Sequence, residues 1–260
     1  MNEEAEVCLL DETRPEGAVA LLRLNRPSVL NALNLSLRRQ LAAAVVRLDS
    51  DASIRVIVLC GNERAFCAGA DLNEYANATP PEIIARDMDR LWGAIAACRK
   101  PVVAAVRGYA LGGGCELAMH SDVIIAGESA RFGQPEVRIG LMPGGGATQR
   151  LTRAVGKFRA MALLMSGAQF GASEALRMGL VSEMVADSDV EERALSVARD
   201  LAALPVLALR FIKRAVLDCE EGTLSQGLEL ERRSFQLLFS TSDKTEGIQA
   251  RLDKRSPRFS

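Results

Sequence analysis

The feature that most constrains the fold is a change of pattern along the chain, from alternating strands and helices to helices alone. Short apolar runs at Val19–Leu24, Ile54–Cys60, Pro101–Val106 and Val123–Ala126 predict buried strands in the first half. Helical segments separate them, and crossovers of this size join parallel strands. After about residue 150 the periodicity is helical throughout. The sequence therefore predicts an α/β fold with a helical C-terminal part.

The helices are predicted from the same periodicity and from their end signals. Ser36 is the expected cap of a helix that reaches about Leu48. Pro80-Pro81 opens one long helix that continues through Trp92 towards Ala97. Five more helices are expected at Leu151–Leu164, Ala172–Met178, Val190–Ala203, Val206–Leu217 and Leu224–Phe239.

Composition and charge argue against several classes of protein. The 260 residues include 32 Lys and Arg against 33 Asp and Glu, for a net charge of −1. This balance argues against broad, non-specific nucleic-acid binding, which needs a basic face. No apolar run approaches the roughly 18 residues that span a bilayer. The acidic start MNEEAEV lacks the pattern of a secretory or transit peptide, so a cytoplasmic location is expected.

The counts of histidine and cysteine limit metal and nucleophile chemistry. His120 is the single histidine, so a zinc site of the HExxH type is impossible. The six cysteines, at positions 8, 60, 67, 98, 115 and 219, form no CxxC pair. This scatter favours reduced, mostly buried thiols over a disulfide framework. We expect no metal site. His120 itself is expected to be buried and hydrogen-bonded.

The most informative stretch is 108–150. Gly112, Gly113 and Gly114 follow a predicted strand and precede the helical pattern CELAM. The first amides of a helix are unpaired and lie at the positive end of its dipole, which suits a developing oxyanion. Glu116 follows Gly113 by three residues, about one turn, so its carboxylate and the Gly113 amide can address one ligand.

A second glutamate and a second glycine-containing loop complete the pattern. Glu136 follows Phe132-Gly133-Gln134-Pro135, and if this loop returns to the helix start the two carboxylates meet. Such a pair suits acid and base work on water, and its titrations are coupled. The small residues of 65–72 permit close backbone approach, so an amide there is a candidate second oxyanion donor.

These segments together resemble the enoyl-CoA hydratase/isomerase (crotonase) family. The likeness covers nearly the whole chain, and the pairing of GADLNE with GYALGGGCEL looks most like bacterial 2,3-dehydroadipyl-CoA hydratases. The motifs that carry it are Asn25-Arg26-Pro27, Asn31-Ala32-Leu33, Ala65–Asn73, Gly108–Met119, Phe132–Glu136 and Pro143–Leu151.

The resemblance implies an α/β, crotonase-like spiral of ββα units in residues 1–200, which would hold the acyl-CoA site. It implies a C-terminal helical trimerisation region in residues 201–260, which would serve assembly and cover the active site. A homotrimer or a homohexamer is the implied assembly. No cofactor is implied, because coenzyme A enters as part of the thioester substrate.

The resemblance also implies residue roles. The amides of Ala70 and Gly113 would hold the thioester oxygen. Glu116 would orient and deprotonate water, and Glu136 would deliver a proton to Cα. The remaining acyl-CoA contacts would come from Ser28, Leu30, Ala68, Asp71, Leu72, Asn73 and Lys254.

The activity that this family pattern predicts is enoyl-CoA hydration, the syn addition of water to a trans-2-enoyl-CoA in fatty-acid or aromatic-acid catabolism. Family isomerases usually keep only the later acid, so the presence of both Glu116 and Glu136 favours hydration. An isomerase remains an alternative, as does a hydratase for dicarboxylyl-CoA thioesters. In the latter, Arg107 or Arg138 would favour a distal carboxylate.

An RNA-binding member of the fold is an alternative of another class. The helix Leu37–Leu48 offers it only Arg38, Arg39 and Arg47, which we interpret as a solvated face. No nucleic-acid partner and no membrane association are therefore expected. Ala147 stands where relatives usually have glycine, so a turn there must adjust if it needs a positive φ.

Overall fold

The computed structural model describes residues 10–15, 18–219 and 221–260. Cys8 and the acidic start lie outside the described residues. Within them the strands are β1 Leu10–Thr13, β2 Val19–Leu24, β3 Val56–Cys60, β4 Ala65–Cys67, β5 Val102–Val106, β6 Tyr109–Leu111, β7 Val123–Gly127, β8 Arg131–Gly133, β9 Gln169–Gly171 and β10 Glu183–Val185. The helices are α1 Leu35–Ser50, α2 Pro80–Ala85, α3 Met88–Ala96, α4 Gly113–Met119, α5 Ala147–Val155, α6 Lys157–Ser166, α7 Ala172–Met178, α8 Val190–Ala202, α9 Val206–Cys219, α10 Leu224–Leu238 and α11 Ser242–Leu252.

The strands form two sheets that the chain visits in turn. The larger sheet has the order β1-β2-β3-β5-β7-β10 and the smaller has the order β4-β6-β8-β9. All neighbours are parallel except β1 with β2 and β8 with β9. In three consecutive pairs, β3 with β4, β5 with β6 and β7 with β8, the first strand lies in the larger sheet and the second in the smaller. The predicted α/β spiral of ββα units is confirmed.

The central strands of the larger sheet are buried on both faces. Every residue of β3 and β5 is buried, as expected for parallel strands covered on each side. One face packs into the main core, where α1 contributes Leu41, Val45 and Leu48. The opposite face packs against α8, which contributes Val190 and Ala194. The site described below lies at the carboxyl ends of β4, β6 and β8 in the smaller sheet.

Several predicted boundaries are wrong for local reasons. Asn34, rather than Ser36, caps α1, because its Oδ1 accepts a hydrogen bond of 2.9 Å from the Leu37 amide. The single helix expected after Pro80 is divided at Asp87, which has the left-handed φ of 51°. The helix expected over 151–164 is divided at Gly156, with a φ of 82°. Helix α11 was not predicted.

The C-terminal helices leave many large apolar side chains exposed. On α9 and α10 these include Ile212, Val216 and Phe235, and on α11 they include Ile248 and Leu252. No helix in the described part of the chain is long and apolar enough to cross a bilayer.

Candidate active site

Ala70, Gly113, Glu116 and Glu136 line one cavity of about 700 Å³. The loop after β4 supplies Ala70, and the N-terminus of α4 supplies Gly113 and Glu116. The short 3₁₀ helix Pro135–Ile139, which follows β8, supplies Glu136. Strands β4, β6 and β8 are neighbours in the smaller sheet, so the sheet itself brings these residues together.

Two backbone amides face the cavity without a partner. The Leu33 amide donates to the Gly69 carbonyl at 2.7 Å, and the Asp71 amide donates to the Leu33 carbonyl at 3.1 Å. These bonds fix the chain on both sides of Ala70 but leave its own N–H unused. Gly113 is the first residue of α4, so its N–H has no acceptor within the helix. Within the described residues neither amide donates a hydrogen bond.

The two amides are close in space. A Cβ atom built on Gly113 would lie 3.7 Å from the Ala70 nitrogen. Gly112, with a φ of 49°, turns the chain from β6 into α4 and aims the helix N-terminus at the cavity. Two unpaired N–H groups converging at a helix start can bind an oxygen that gains negative charge.

Glu116 is buried and held by a neighbouring loop. Glu116 is only 3% exposed. Its Oε1 accepts hydrogen bonds from the amides of Gly145 at 2.7 Å and Ala147 at 3.0 Å. Burial raises the pKa of Glu116 above its ordinary value, whereas these amides and the Arg38 charge act to lower it. Because both amides donate their hydrogen bonds to Oε1, the other carboxylate oxygen, Oε2, is free to bind water.

The loop that holds Glu116 needs a glycine at one position and tolerates an alanine at another. A Cβ on Gly145 would lie 2.6 Å from the Glu116 Oε2 and 2.7 Å from the Trp92 ring, so only glycine fits. Ala147 is the first residue of α5, and the positive φ of 109° falls on Gly146 before it. The alanine therefore causes no backbone strain.

Glu136 is the second carboxylate. Burial raises its pKa to about 7, and the negative charge of Glu116 makes a smaller contribution in the same direction. The amide of the buried Gln134, oriented with its nitrogen towards the carboxylate, donates to both Glu136 oxygens at 3.3 Å. A carboxyl group with this pKa holds a proton for part of the time at neutral pH, which suits a proton donor.

A stack of three side chains supports the same loop. The His120 and Trp92 rings are parallel, with centroids 5.0 Å apart, and the Arg38 guanidinium lies 5.2 Å from the Trp92 centroid. His120 Nε2 donates to the Gly145 carbonyl at 3.1 Å. Burial, together with the charge of Arg150, lowers the pKa of His120 to about 4, so the ring is neutral. The expected hydrogen bond of His120 is confirmed, and the residue is half-buried rather than fully buried.

The structure places the other predicted contact residues at different distances from the cavity. Ala68 and Leu72 line it. Leu30 supports the wall from behind, since its carbonyl accepts the Ala68 amide at 2.9 Å. Ser28 lies in the 3₁₀ helix Pro27–Val29, next to that contact. Lys254 follows α11 and is exposed. Among the described residues that line the cavity, neither Ser28 nor Lys254 is found.

Asp71 and Asn73 hold the loop rather than face the cavity. The Asp71 carboxylate is 3.0 Å from the Arg26 guanidinium and accepts the Asn73 amide at 3.2 Å. It thereby caps the 3₁₀ helix Leu72–Glu74. The Asn73 side chain donates to the same carboxylate at 3.1 Å. This ion pair fixes the segment immediately after the Ala70 amide.

The two arginines considered as partners of a distal carboxylate differ in their position relative to the cavity. Arg107 points to the 3₁₀ helix Asp187–Asp189, where it donates to the Asp187 carbonyl at 3.4 Å. It lies outside the cavity lining within the described chain. Arg138 does line the cavity, although its Nε donates to the Gly167 carbonyl at 3.1 Å.

Sequence reasoning missed Arg38. The prediction of a solvated face is wrong for this residue, which is 8% exposed, although its neighbour Arg39 is exposed. The available signal was helical spacing, because Arg38 shares the stripe of Leu41, Val45 and Leu48. A charged residue in an apolar stripe needs a functional or structural reason.

Three comparisons with known proteins agree with this geometry. The family model described as enoyl-CoA hydratase/isomerase matches residues 14–260. A probable enoyl-CoA hydratase of Rhizobium meliloti is 49% identical over 251 residues, covering 96% of this chain and 97% of that protein. The 2,3-dehydroadipyl-CoA hydratase of Escherichia coli is 46% identical over 241 residues, covering 93% and 94% of the two chains.

Among solved structures, enoyl-CoA hydratase subunit I from Geobacillus kaustophilus superposes with a TM-score of 0.95. It is 43% identical, and the match covers 98% of this chain and 99% of that one. With a matching family model over most of the chain and relatives of this similarity, the protein belongs to the enoyl-CoA hydratase/isomerase family, with its crotonase-like fold.

Proposed function

We propose that this protein is an enoyl-CoA hydratase that adds water syn across the double bond of a trans-2-enoyl-CoA. The observation that carries the proposal is the convergence of two carboxylates, the buried Glu116 and the half-buried Glu136, and two unpaired amides on one cavity. Isomerisation needs one group that moves a proton between carbons, whereas hydration also needs a base for water. The presence of both Glu116 and Glu136 therefore favours hydration.

In the proposed reaction the thioester oxygen accepts hydrogen bonds from the amides of Ala70 and Gly113. Ionised Glu116 binds water through Oε2 and takes its proton as the water oxygen attacks Cβ. The electrons of the double bond move to the thioester oxygen as an enolate, which the two amides stabilise. Glu136 then gives its proton to Cα, so the product is a 3-hydroxyacyl-CoA with Glu116 protonated and Glu136 ionised. Proton exchange with solvent restores both groups.

The magnitudes are adequate for catalysis. Loss of one oxyanion donor typically costs about 3–4 kcal/mol of barrier, and a positioned acid or base contributes roughly 10²–10⁴-fold. All the groups that act in this scheme belong to the protein or the substrate, so the proposal requires no cofactor. Coenzyme A takes part only as the carrier of the acyl group.

Assembly and location are part of the same proposal. Residues 1–200 would form the catalytic spiral, and residues 201–260 would form a helical region for assembly and active-site cover. The exposed apolar residues of α9, α10 and α11 support a homotrimer or homohexamer, because their burial between copies would remove this surface from water. A cytoplasmic location is also part of the proposal. Mass photometry of the purified protein tests the assembly, and a monomer would contradict it.

The activity is tested by the loss of conjugated thioester absorbance when the protein is mixed with crotonyl-CoA or hex-2-enoyl-CoA. We expect turnover in the usual enzymatic range of about 1–10³ s⁻¹. The product should be the 3-hydroxyacyl-CoA, identified by mass. Absence of hydration with every trans-2-enoyl-CoA tried, from a folded protein, would contradict the proposal.

A further inference from the structure

Arg38 is a buried cation without a counterion. Its residue is 8% exposed, and it lies on the wall of the cavity that holds the two glutamates. Within the described residues its guanidinium takes part in no ion pair and donates no hydrogen bond to a protein atom. The carboxylates of Glu116 and Glu74 act to raise the pKa of Arg38 through their charge, without forming an ion pair with it in the described part of the chain.

Both of these carboxylates are occupied by other partners. The Glu74 oxygens each accept a hydrogen bond of 3.0 Å from the Leu35 amide, at the first residue of α1. Glu116 Oε1 accepts the amides of Gly145 and Ala147. Burial lowers the pKa of Arg38, but a guanidinium stays protonated in proteins. The unbonded donors of Arg38 are therefore available to an anion that enters the cavity.

The guanidinium packs near an aromatic ring of the cavity wall. It lies 5.2 Å from the Trp92 ring centroid, at a cation–π distance, and the Trp92 ring also stacks on His120. This contact restricts the guanidinium to the cavity wall without using its N–H donors. A planar edge with paired N–H donors matches a carboxylate in a bidentate arrangement.

The position of the cation defines the length of the ligand. The Arg38 Nη2 lies 3.4 Å from the Cβ position of Gly113, whose amide is a proposed oxyanion donor. A carboxylate bound to Arg38 can therefore be only a few bonds from a thioester carbon bound at that amide. We propose that Arg38 is a specificity-determining residue that binds the distal carboxylate of a short dicarboxylyl-CoA substrate. This inference rests on the proposed hydratase activity and assigns its substrate class.

The test compares two thioesters of equal chain length, 2,3-dehydroadipyl-CoA and hex-2-enoyl-CoA. For the wild type we expect kcat/KM to be at least about tenfold higher with the dicarboxylyl substrate, which corresponds to about 1.4 kcal/mol. In Arg38→Met this preference should be lost, and Arg38→Lys should retain part of it. Arg39→Met is the matched control, since Arg39 is exposed on the same helix turn, and it should keep the wild-type preference.

Binding of the saturated analogues separates this inference from the proposed activity. Adipyl-CoA should bind the wild type at least about tenfold more tightly than hexanoyl-CoA, and Arg38→Met should remove the difference. If the wild type hydrates neither substrate but retains this binding preference, only the proposed reaction fails. If the wild type binds adipyl-CoA and hexanoyl-CoA equally tightly, the proposed role of Arg38 is overturned, even if Arg38→Met does not fold. If Arg38→Met lowers kcat/KM by the same factor with both substrates, the proposed role of Arg38 is also overturned.

Discussion

Two substitutions of Glu116 separate its chemical role from its structural one. Glu116→Gln keeps a carbonyl oxygen where Oε1 accepts the Gly145 and Ala147 amides at 2.7 and 3.0 Å. It also removes the cost of burying a charge, which offsets the weaker hydrogen bonds to a neutral acceptor. We expect the free energy of unfolding to stay within about 1 kcal/mol of wild type. Hydration should fall by about 10²–10⁴-fold, because an amide cannot accept the proton of water.

Glu116→Ala should lose stability as well as activity. It leaves two buried amides without acceptors, at about 1–3 kcal/mol each, so the structure predicts a loss of about 2–6 kcal/mol. For a chain of this size the midpoint of thermal unfolding should fall by roughly 5–20 °C. The two variants are compared by differential scanning calorimetry and by the crotonyl-CoA absorbance assay. Turnover of Glu116→Gln within tenfold of wild type, or equal stability of the two variants, would refute the reasoning.

Three further predictions follow from the same site. Burial raises the pKa of Glu136 to about 7, and hydration needs the protonated form of this residue. The value of kcat/KM for hydration should therefore fall as the pH rises above about 7. Glu136→Gln should hydrate at least about 100-fold more slowly than wild type at every pH measured. Gly145→Ala should lower kcat by about 10²-fold, because its Cβ overlaps Glu116 Oε2 and displaces the base. Its control is Gly93→Ala, whose Cβ would meet no atom within 4 Å and whose kcat should match wild type. His120→Phe keeps the stack on Trp92 but loses the bond to the Gly145 carbonyl, so kcat should fall about 2–10-fold in steady-state assays, and an unchanged kcat would mean that this bond does not position the loop.

The sequence predicted strands β2, β3, β5 and β7 of the larger sheet because their apolar runs are local patterns. The bounds of β2 and α7 agree residue for residue with the prediction, since period and end signals coincide there. Glu116 and Gly113 were found because their separation is one helical turn. The sequence could place Glu136 near them only if its loop returned to the start of α4. The pairing of β6 with β8 brings the loop back to that point.

What the sequence did not predict depends on contacts between distant segments. Helical spacing places Arg38 on the apolar stripe of α1, but its position beside the loop after β4 and the start of α4 depends on contacts that no local pattern records. The Gly145 amide reaches Glu116 across 29 positions. The break at Asp87 is also invisible to periodicity, because the apolar spacing continues across it while one residue adopts a left-handed φ. Asparagine and aspartate tolerate this conformation better than most residues do.

The two proposed oxyanion donors belong to successive turns of the spiral, and this arrangement separates catalysis from substrate choice. Pairing of β4 with β6, at Ala65 with Tyr109 and Cys67 with Ala110, sets the distance between the loops that carry Ala70 and Gly113. Between these strands the chain passes through α2 and α3 before it returns through β5, and the two helices with their flanks supply the cavity wall at Ile83, Met88 and Trp92. Changes of length or side chain in that excursion can reshape the pocket without altering the spacing of the amides. Substitutions in this segment can therefore change which acyl chain binds while the two proposed oxyanion donors keep their spacing.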